Sequence, residues 1–488
     1  MPRLADLLAV LPDAQLHLPA AESANETATR AIAFDSVSTD SRTLDPGALF
    51  VGLSGPRFDG AAFVAAARSR GAVAALLSAG SDALIAVDLP LIIVPDALVS
   101  LQQWARHWRA GWSGCCIAVT GSNGKTTVKQ MIHAIARCVV GDQASWATPG
   151  NLNNHIGVPL SVLGLRPEHQ MAVFELGMNH PDEIGLLAGI AQPRIALVNN
   201  AQREHQEFMK SVEAVARENG QVLRALPEDG VAVFPRDPAH EAIWMSQAQG
   251  QRRRLMRFGF ESAAAASGFT GQEVLGRWES LSLGDAHLAI RFPDQQEIRI
   301  KPRGLGEHFA LNMIAAAACG FAAGCKPEQI AEALSAFEPV SGRGKSLALH
   351  AGGVLVDDTY NANPDSVHAA IDALGRMQPP RALVLGDMGE VGDEGPRFHR
   401  EVLQYANDKK IDGIWLHGQA LALAHAQTGL GHHHADVGAL IADLRGWVAT
   451  QQARHLRPSV WVKGSRFMKM ERVVQALVVE QEGRALCC

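Results

Sequence analysis

The chain has 488 residues, of which 47% are hydrophobic and 19% charged, and this composition is typical of a globular α/β enzyme with about three domains. Its formal net charge of −6 gives no reason to expect binding to nucleic acid or to an anionic membrane surface. No apolar run reaches the roughly 20 residues of a membrane span, and seven cysteines without Cys-x-x-Cys spacing indicate a reduced, cytoplasmic protein.

Residues 1–94 alternate short apolar runs with helical stretches and predict a small α/β domain. The expected strands cover 32–35, 48–53, 74–77 and 91–94. Two polar loops between them each carry one arginine, and the first reads Ser38-Thr39-Asp40-Ser41-Arg42. Hydroxyl groups beside an arginine suit a phosphate or diphosphate ligand. Ordinary turn formation explains the same residues equally well.

The second predicted domain, residues 95–340, begins with an amphipathic helix over 97–108 and a hinge at Gly111. An apolar run then leads into Thr120-Gly121-Ser122-Asn123-Gly124-Lys125-Thr126-Thr127, which a helical pattern follows. Glycines let backbone N–H groups surround phosphate oxygens, and the start of a helix favours an anion. Lys125 is expected to contact the β- and γ-phosphates and the Thr126 hydroxyl to bind magnesium. The motif is shorter than the full phosphate-loop pattern, because Val119 stands where that pattern has glycine, but it predicts an ATP site.

Two further apolar runs, 171–176 and 195–199, predict strands of a parallel sheet, whose ligands gather at the carboxyl ends. Glu175 and Asn199 lie at those ends, on the same edge as the phosphate loop. We interpret Glu175 as a magnesium ligand, the alternative being a carboxylate paired with an arginine. His205 lies among carboxylates, where a single histidine is more often structural than metal-binding.

Residues 341–488 predict a doubly wound, Rossmann-like third domain, with strands near 354–358, 382–386, 413–416 and 460–464 between helices. No G-x-G-x-x-G follows its first strand, so a dinucleotide cofactor is not expected. Polar loops at 358–364 and 463–466 can instead close over a nucleotide of the neighbouring domain. The turn at 338–345 carries Arg343 between glycines and suits a phosphate or an interdomain linker. Residues 432–434, three consecutive histidines, are interpreted as a solvated turn rather than a metal site.

These motifs, in this order, resemble the Mur ligase family of peptidoglycan synthesis over nearly the whole chain. Within that family, the run Tyr360-Asn361-Ala362-Asn363-Pro364 and residues 385–390 are similar to the branch that adds D-alanyl-D-alanine. The Asp-Asn-Pro-Arg sequence of the branch that adds the third residue is not found.

The resemblance implies an N-terminal domain that holds UDP, a central ATPase domain that uses ATP and Mg²⁺, and a C-terminal domain that receives the incoming amine. The implied substrates are UDP-N-acetylmuramoyl-tripeptide and D-alanyl-D-alanine, joined by a monomeric enzyme. The tripeptide carboxylate attacks the γ-phosphate of ATP, and the dipeptide amine then displaces phosphate from the acyl phosphate.

Residue by residue, the resemblance implies three groups of roles. Lys125, Glu175 and His205 are catalytic, and Thr126, Glu175 and His205 bind the metal. The phosphate loop binds ATP together with Asn312 at the adenine and with Arg343 and Asp358 from the closing domain. The implied substrate-binding residues are Ser41, Arg42, Asn151, Asn154, Tyr360, Asn361, Asn363, Lys463 and Arg466.

The chain departs from the family at Asn219. Mur ligases usually carry a lysine, as a carbamate, in the helix after the histidine loop, and asparagine cannot be carbamylated. We hypothesise that the enzyme is independent of bicarbonate. Two other functions stay open. A folylpolyglutamate synthase-like ligase would lack the N-terminal domain, and a regulatory nucleotide switch would not need the loops of the third domain.

Overall fold

The computed structural model describes residues 2–18, 26–55, 58–80, 88–204, 206–250, 252–261, 271–280, 286–350 and 352–478. These residues form three α/β units, each built on its own main sheet, which confirms the predicted fold class. None of the helices in those ranges combines the length and the apolar character that crossing a membrane requires.

The N-terminal unit is a five-stranded sheet with the strand order β1-β7-β6-β3-β2. Its elements are α1 (Leu4–Val10), β1 (Gln15–His17), α2 (Glu26–Arg30), β2 (Val37–Ser38), β3 (Leu49–Gly52), β4 (Ser54–Gly55), β5 (Phe58–Asp59), α3 (Val64–Ser69), β6 (Ala74–Ser78) and β7 (Leu91–Val94). The strand predicted over 32–35 is wrong, since Ala33 makes only an isolated bridge with Arg3. The aromatic residue of this run, Phe34, packs edge-on against Trp104 instead of extending a sheet.

Helix α4 (Ala97–Ala110) connects this unit to the next. The Asp96 side chain begins it by accepting the backbone N–H groups of Leu98 and Val99. Its apolar face, which includes Leu101 and Trp104, belongs to a core shared by the N-terminal and central sheets. The first two units are therefore packed against each other through α4.

The central unit is a nine-stranded sheet with the order β16-β15-β14-β13-β12-β11-β8-β10-β9. Its elements are β8 (Cys115–Thr120), α5 (Lys125–Val140), β9 (Ser145–Ala147), α6 (Gly157–Leu163), β10 (Met171–Glu175), α7 (Glu183–Ala191), β11 (Ile195–Val198), α8 (Gln206–Met209), α9 (Val212–Asn219), α10 (Gln221–Arg224), β12 (Val231–Pro235), α11 (Glu241–Gln247), β13 (Arg254–Phe260), β14 (Gln272–Ser280), β15 (His287–Arg291), β16 (Glu297–Ile300), α12 (Glu307–Ala322) and α13 (Pro327–Ala336).

Strand β8 lies between β10 and β11, and all three are parallel. Both faces of β8 are covered, because its residues from 116 to 120 are buried, as expected for a parallel strand between helical layers. Helices α5 and α12 pack on one face, where the small side chains of 315–318 lie in the same core as Ile132 and Ile135. The carboxyl ends of β8, β10 and β11 therefore meet at one edge of the sheet, beside the start of α5.

The C-terminal unit is a six-stranded sheet with the order β17-β18-β22-β19-β20-β21, parallel except for β17, as the doubly wound prediction requires. Its elements are β17 (Lys345–Ala348), β18 (Val354–Asp358), α14 (Pro364–Gly375), β19 (Arg381–Gly386), α15 (Gly395–Asp408), β20 (Gly413–His417), α16 (Gln419–Thr428), β21 (His432–His434), α17 (Val437–Ala453), β22 (Ser459–Lys463) and α18 (Glu471–Leu477).

The turn predicted for the three histidines is wrong. They form the edge strand β21, which pairs with β20. His433 Nε2 lies 2.9 Å from the Gly418 carbonyl oxygen and His434 Nε2 lies 3.0 Å from Asp443 Oδ2, so protein partners occupy both rings. Side chains alternate between the two faces of a strand, so neighbouring histidines of β21 point to opposite sides of the sheet.

Candidate active site

The loop between β8 and α5 has the conformation that its two glycines permit. Gly121 and Gly124 have φ angles of 134° and 80°, which other residues rarely adopt. A Cβ on Gly124 would lie 2.5 Å from Asn312 Oδ1, and a Cβ on Gly121 would lie 2.9 Å from Asn199 Cβ. Both positions therefore require glycine for the backbone and for the close approach of a neighbouring side chain.

The first three backbone N–H groups of this loop donate hydrogen bonds to other groups of the protein. Gly121 N–H donates to Asn219 Oδ1 (2.9 Å), Ser122 N–H to the Asn200 carbonyl oxygen (3.2 Å) and Asn123 N–H to Asn200 Oδ1 (2.8 Å). The next N–H groups belong to the first turn of α5, where an α-helix has no internal acceptors for them. That first turn, at the positive end of the helix dipole, is the place for an anion.

Lys125 begins α5, and its ammonium group lies over the loop that precedes it. Lys125 Nζ is 3.1 Å from the Ser122 carbonyl oxygen and 3.3 Å from Glu204 Oε2. These partners hold the cation beside the first turn of the helix. A mobile point charge of this kind suits the outer phosphates of a nucleotide.

Thr126 and Glu175 form the candidate magnesium site. Thr126 Oγ1 lies 3.0 Å from Oε1 and 2.9 Å from Oε2 of Glu175, at the end of the neighbouring strand β10. Two oxygens in adjacent positions of an octahedral magnesium shell at about 2.0–2.1 Å are separated by about 2.9 Å. A hydroxyl and a carboxylate at this spacing therefore fit the ion, with phosphate oxygens and water as further ligands.

His205, the third predicted metal ligand and catalytic residue, lies outside the described residues. Within the ranges that the structure describes, no group of three His, Cys, Asp or Glu side chains is arranged to hold a metal. The described donor set is therefore the Thr126 and Glu175 pair.

A cavity of 510 Å³ lies between the central and C-terminal units, next to the phosphate loop. Aromatic and aliphatic side chains line it together with polar groups from both units. Such a mixture suits a purine base with its ribose and phosphates. The predicted ATP residues in the lining are Asn123, Gly124, Thr127, Asn312, Arg343 and Asp358, and the apolar lining includes Phe258, Phe260, Leu305, Phe309 and Leu311.

Arg343 reaches the cavity from the turn that precedes β17. Its guanidinium carbon lies 3.7 Å from the centroid of the Tyr360 ring, a cation–π contact that orients the side chain. Burial lowers the pKa of Arg343, while the nearby Glu175, Tyr360 and Asp358 oppose that shift. The arginine is thus a nearly buried cation, positioned for a phosphate by an aromatic ring from the same unit.

Asp358 and Lys463 join the ends of β18 and β22. Lys463 Nζ lies 2.7 Å from Asp358 Oδ2 and donates to the Asn361 carbonyl oxygen at 3.0 Å. Lys463 is buried and lines the cavity. The carboxyl edge of the C-terminal sheet therefore presents a charged, hydrogen-bonded pair to the nucleotide cavity.

Asn363 connects the two halves of the site directly. Its Oδ1 accepts the Ser366 N–H at 2.9 Å and begins α14, and its Nδ2 donates to Asn123 Oδ1 at 2.9 Å. The predicted substrate residue Asn363 thus caps a helix and contacts the phosphate loop across the domain boundary.

The other predicted substrate residues are spread over several loops, and five of them do not line the cavity: Ser41, Arg42, Asn151, Asn154 and Arg466. In the N-terminal unit, Ser41 is buried and the 86% exposed side chain of Arg42 pairs with Asp40. Asn154 accepts the Gly157 N–H at the start of α6 (2.8 Å), Asn151 is exposed, and Arg466 pairs with Glu471. Tyr360, Asn361 and Lys463, by contrast, do line the cavity.

Sequence reasoning left Asn199, Asn200 and Gln202 without a role. Asn199 Nδ2 donates to the Asn123 carbonyl oxygen (2.8 Å) and to Asn312 Oδ1 (2.9 Å), so it joins the phosphate loop to α12. The sequence feature that could have indicated this role is the position of Asn199 directly after β11, the parallel neighbour of β8. Gln202 Oε1 accepts a hydrogen bond from Asn123 Nδ2 at 2.6 Å, and no sequence pattern predicts that contact.

Three family models match consecutive parts of the chain. Residues 33–109 match a family model described as the catalytic domain of the Mur ligase family, residues 119–320 one for the Mur ligase middle domain, and residues 342–466 one for the Mur ligase glutamate ligase domain.

Similar proteins cover most of the chain. The UDP-N-acetylmuramoyl-tripeptide--D-alanyl-D-alanine ligase of Escherichia coli K12 is 37% identical over 91% of this chain and 94% of its own length. A crystal structure of MurF from Acinetobacter baumannii superposes with a TM-score of 0.80 at 29% identity, covering 90% of this chain and 92% of that one. MurF ligase from Thermotoga maritima in complex with ADP gives a TM-score of 0.74 at 25% identity, covering 90% and 96%.

Proposed function

The chain belongs to the Mur ligase family, and on that premise we propose that it joins D-alanyl-D-alanine to UDP-N-acetylmuramoyl-tripeptide in peptidoglycan synthesis, converting ATP to ADP and phosphate. The full-length likeness to ligases of that name supports this choice of substrates. The N-terminal sheet that a folylpolyglutamate synthase-like ligase was expected to lack is present.

One observation carries the proposal. The cavity at the phosphate loop is completed by Arg343, Asp358 and Lys463 of the C-terminal unit, so two domains enclose one nucleotide site. A nucleotide switch needs only the loop, whereas a ligase must also hold an attacking carboxylate and an incoming amine beside the γ-phosphate. The domain arrangement therefore favours group transfer between bound substrates.

The reaction begins when a carboxylate oxygen of the tripeptide attacks the γ-phosphorus and ADP leaves. The dipeptide amine then attacks the acyl carbon, loses a proton and displaces inorganic phosphate. Both reactants of the first step are anions, so positive groups must offset their repulsion. In this chain, Lys125, Arg343 and the N–H groups at the start of α5 supply that charge.

Thr126 and Glu175 would hold Mg²⁺ beside these groups. The ion supplies further positive charge at the phosphate oxygens and orients them for transfer. The spacing of the two protein oxygens supports this assignment, because it matches neighbouring ligands of a magnesium shell.

Domain contacts protect the acyl phosphate from water. The hydrogen bond between Asn123 and Asn363 and the ion pairs of Arg203 with Asp365 and Glu401 hold the C-terminal unit against the phosphate loop. Exclusion of water favours attack by the amine over hydrolysis. Closure of this interface is thus part of the chemistry that we propose.

We assign the sugar nucleotide to the N-terminal unit, through Ser41 and Arg42, and to the loop that carries Asn151 and Asn154. The dipeptide is assigned to the C-terminal loops with Tyr360, Asn361 and Arg466. We propose that the enzyme acts as a monomer in the cytoplasm.

Phosphate release by the purified enzyme tests this proposal. With ATP and Mg²⁺, a panel of UDP-muramoyl peptides is combined with single amino acids or dipeptides. We expect phosphate only when UDP-muramoyl-tripeptide and D-alanyl-D-alanine are both present. Steady release with either one alone, or a preference for a single amino acid over the dipeptide, would contradict the proposed activity.

A further inference from the structure

Lys129 lies on α5, one helical turn after Lys125, and its side chain is fully buried. Its ammonium group donates to the carbonyl oxygens of Thr148 and Gly150, both at 3.0 Å, and lies 3.3 Å from Glu175 Oε2. An ammonium group has three hydrogens, and these three oxygens can satisfy all of them. Lysine is almost never fully buried unless it is paired, so this position points to a specific role.

The contacts of Lys129 join two parts of the site. Thr148 and Gly150 begin the segment 148–154, which connects β9 to α6 and carries Asn151 and Asn154. Glu175 belongs to the candidate magnesium site on the next strand. Lys129 is thus a bridge between the phosphate site and a loop that we assign to the sugar-nucleotide substrate.

Further hydrogen bonds make the same connection. Asn153 Nδ2 donates to Glu175 Oε1 at 2.9 Å, and the Glu175 N–H donates to Thr148 Oγ1 at 3.0 Å. The Asn153 carbonyl oxygen accepts the Gly177 N–H at 2.8 Å. With Lys129 on the opposite oxygen, the Glu175 carboxylate is held from both sides by groups that also fix this loop.

We propose that Lys129 is a positioning residue which holds segment 148–154 and the Glu175 carboxylate as one unit, and thereby aligns the UDP-muramoyl-tripeptide with the phosphate site. The inference rests on the proposed function, because it takes this segment to contact that substrate. Lys129 does not line the nucleotide cavity, and it acts through Glu175 and the loop. The Lys129 ammonium pairs with Glu175, and backbone carbonyl oxygens accept its other hydrogens, so this contact can fix the loop relative to the carboxylate. Loss of the lysine would leave the buried Glu175 carboxylate without its cation.

The variant Lys129→Met tests this inference, because methionine keeps the length of the side chain and removes the charge. We expect kcat/KM for UDP-muramoyl-tripeptide to fall about 10- to 100-fold, the loss expected when a charged hydrogen-bonding group is removed. The KM for D-alanyl-D-alanine should stay unchanged, because its proposed site lies on other loops. Calorimetric titration of the metal-free, nucleotide-free protein should show about tenfold weaker binding of UDP-muramoyl-tripeptide.

Arg109→Met is the matched control. Arg109 is also a buried cation on a helix, and it donates to the carbonyl oxygens of Ala191 (2.8 Å), Gln192 (2.8 Å) and Trp112 (2.9 Å). Its partners lie outside the proposed substrate loop. Both variants should lower the melting temperature, but the control should keep the wild-type affinity for the sugar nucleotide.

The outcomes separate this inference from the proposed function. Absence of ligation by the wild-type enzyme would refute the function itself. The proposed role of Lys129 would be overturned if the wild-type enzyme carries out ligation but the Lys129→Met and Arg109→Met proteins bind UDP-muramoyl-tripeptide with equal affinity. If the methionine variant does not fold, Lys129→Gln replaces it in the same titration, and wild-type affinity in that variant would likewise overturn the inference.

Discussion

Arg203 is the residue whose replacement should most clearly separate domain closure from the chemistry. It follows β11 in the central unit and donates from Nε (2.9 Å) and Nη2 (2.7 Å) to Asp365 Oδ1, at the start of α14. Its Nη1 lies 2.8 Å from an oxygen of Glu401 on α15, and its guanidinium carbon lies 5.2 Å from the Phe398 ring centroid. One guanidinium therefore ties the central unit to two helices of the C-terminal unit.

The size of the effect follows from this geometry. Burial alone lowers the pKa of Arg203, but the hydrogen bonds that Arg203 donates to Asp365 and Glu401 outweigh it and the pKa is raised. Hydrogen bonds to charged groups contribute about 1.5–3 kcal/mol in buried settings, and partial exposure reduces that value. With the side chain 22% exposed, we assign about 2 kcal/mol to the whole contact, or about a 30-fold change in the closure equilibrium.

The variant Arg203→Met should therefore lower kcat/KM about 30-fold and increase the radius of gyration measured by small-angle X-ray scattering. Its melting temperature should change little, because the contact joins two units that each keep their own core. Arg217→Met is the control, since Arg217 pairs with Glu213 on the exposed face of α9, within one unit. Wild-type scattering and wild-type kinetics in the Arg203 variant would refute this role in closure.

Three further variants or conditions test the phosphate loop, Asn219 and the core of the C-terminal unit. Lys125→Ala should lower ligation at least about 100-fold, because the proposed ammonium partner of the phosphates is lost, and retained activity would mean that the loop is misinterpreted. Asn219 stands where the family usually has a carbamylated lysine, and its side chain accepts the Gly121 N–H. Dialysis of the enzyme against buffer without carbon dioxide should therefore leave its activity unchanged. A loss of activity that added bicarbonate restores would contradict this prediction. Burial lowers the pKa of His399 below its ordinary 6.5, and its Nε2 accepts the Met388 N–H, so the folded state favours the neutral ring. The unfolded protein therefore binds more protons than the folded protein below pH 6.5, so the wild type loses stability as the pH falls. The variant His399→Leu should melt at a lower temperature than wild type at pH 7.5, but its melting temperature should fall less between pH 6.5 and 5. An equal fall in both proteins would show that His399 does not contribute to the pH dependence.

The carboxyl edge of the central sheet was the part of the site most accessible from sequence. Apolar runs that end in polar residues predicted a parallel sheet with Glu175 and Asn199 on the same edge as the phosphate loop, and Thr126 indeed lies beside Glu175. This succeeds because parallel strands buried on both faces are almost purely apolar, so their ends are marked by the first polar residue. The ligand roles of these residues stay predictions.

Contacts between distant segments could not be predicted in this way. Asn123 and Asn363 are separated by 240 positions, and Arg203 and Glu401 by 198, so no local pattern relates them. The role of Lys129 was equally hidden, because a lysine on a helix resembles any solvated residue until its neighbours are known. Short edge strands such as β21 are missed because three residues show no useful periodicity.

Transfer of an isotope label tests the central claim most directly. UDP-muramoyl-tripeptide labelled with ¹⁸O in the carboxylate that receives the dipeptide is incubated with ATP, Mg²⁺ and D-alanyl-D-alanine, and the released phosphate is analysed by mass spectrometry. Because the carboxylate oxygen bonds to the γ-phosphorus and leaves with it, the proposed ligation predicts one ¹⁸O atom in each phosphate formed from fully labelled substrate. Release of unlabelled phosphate would contradict it, since the carboxylate would then not have been activated by ATP.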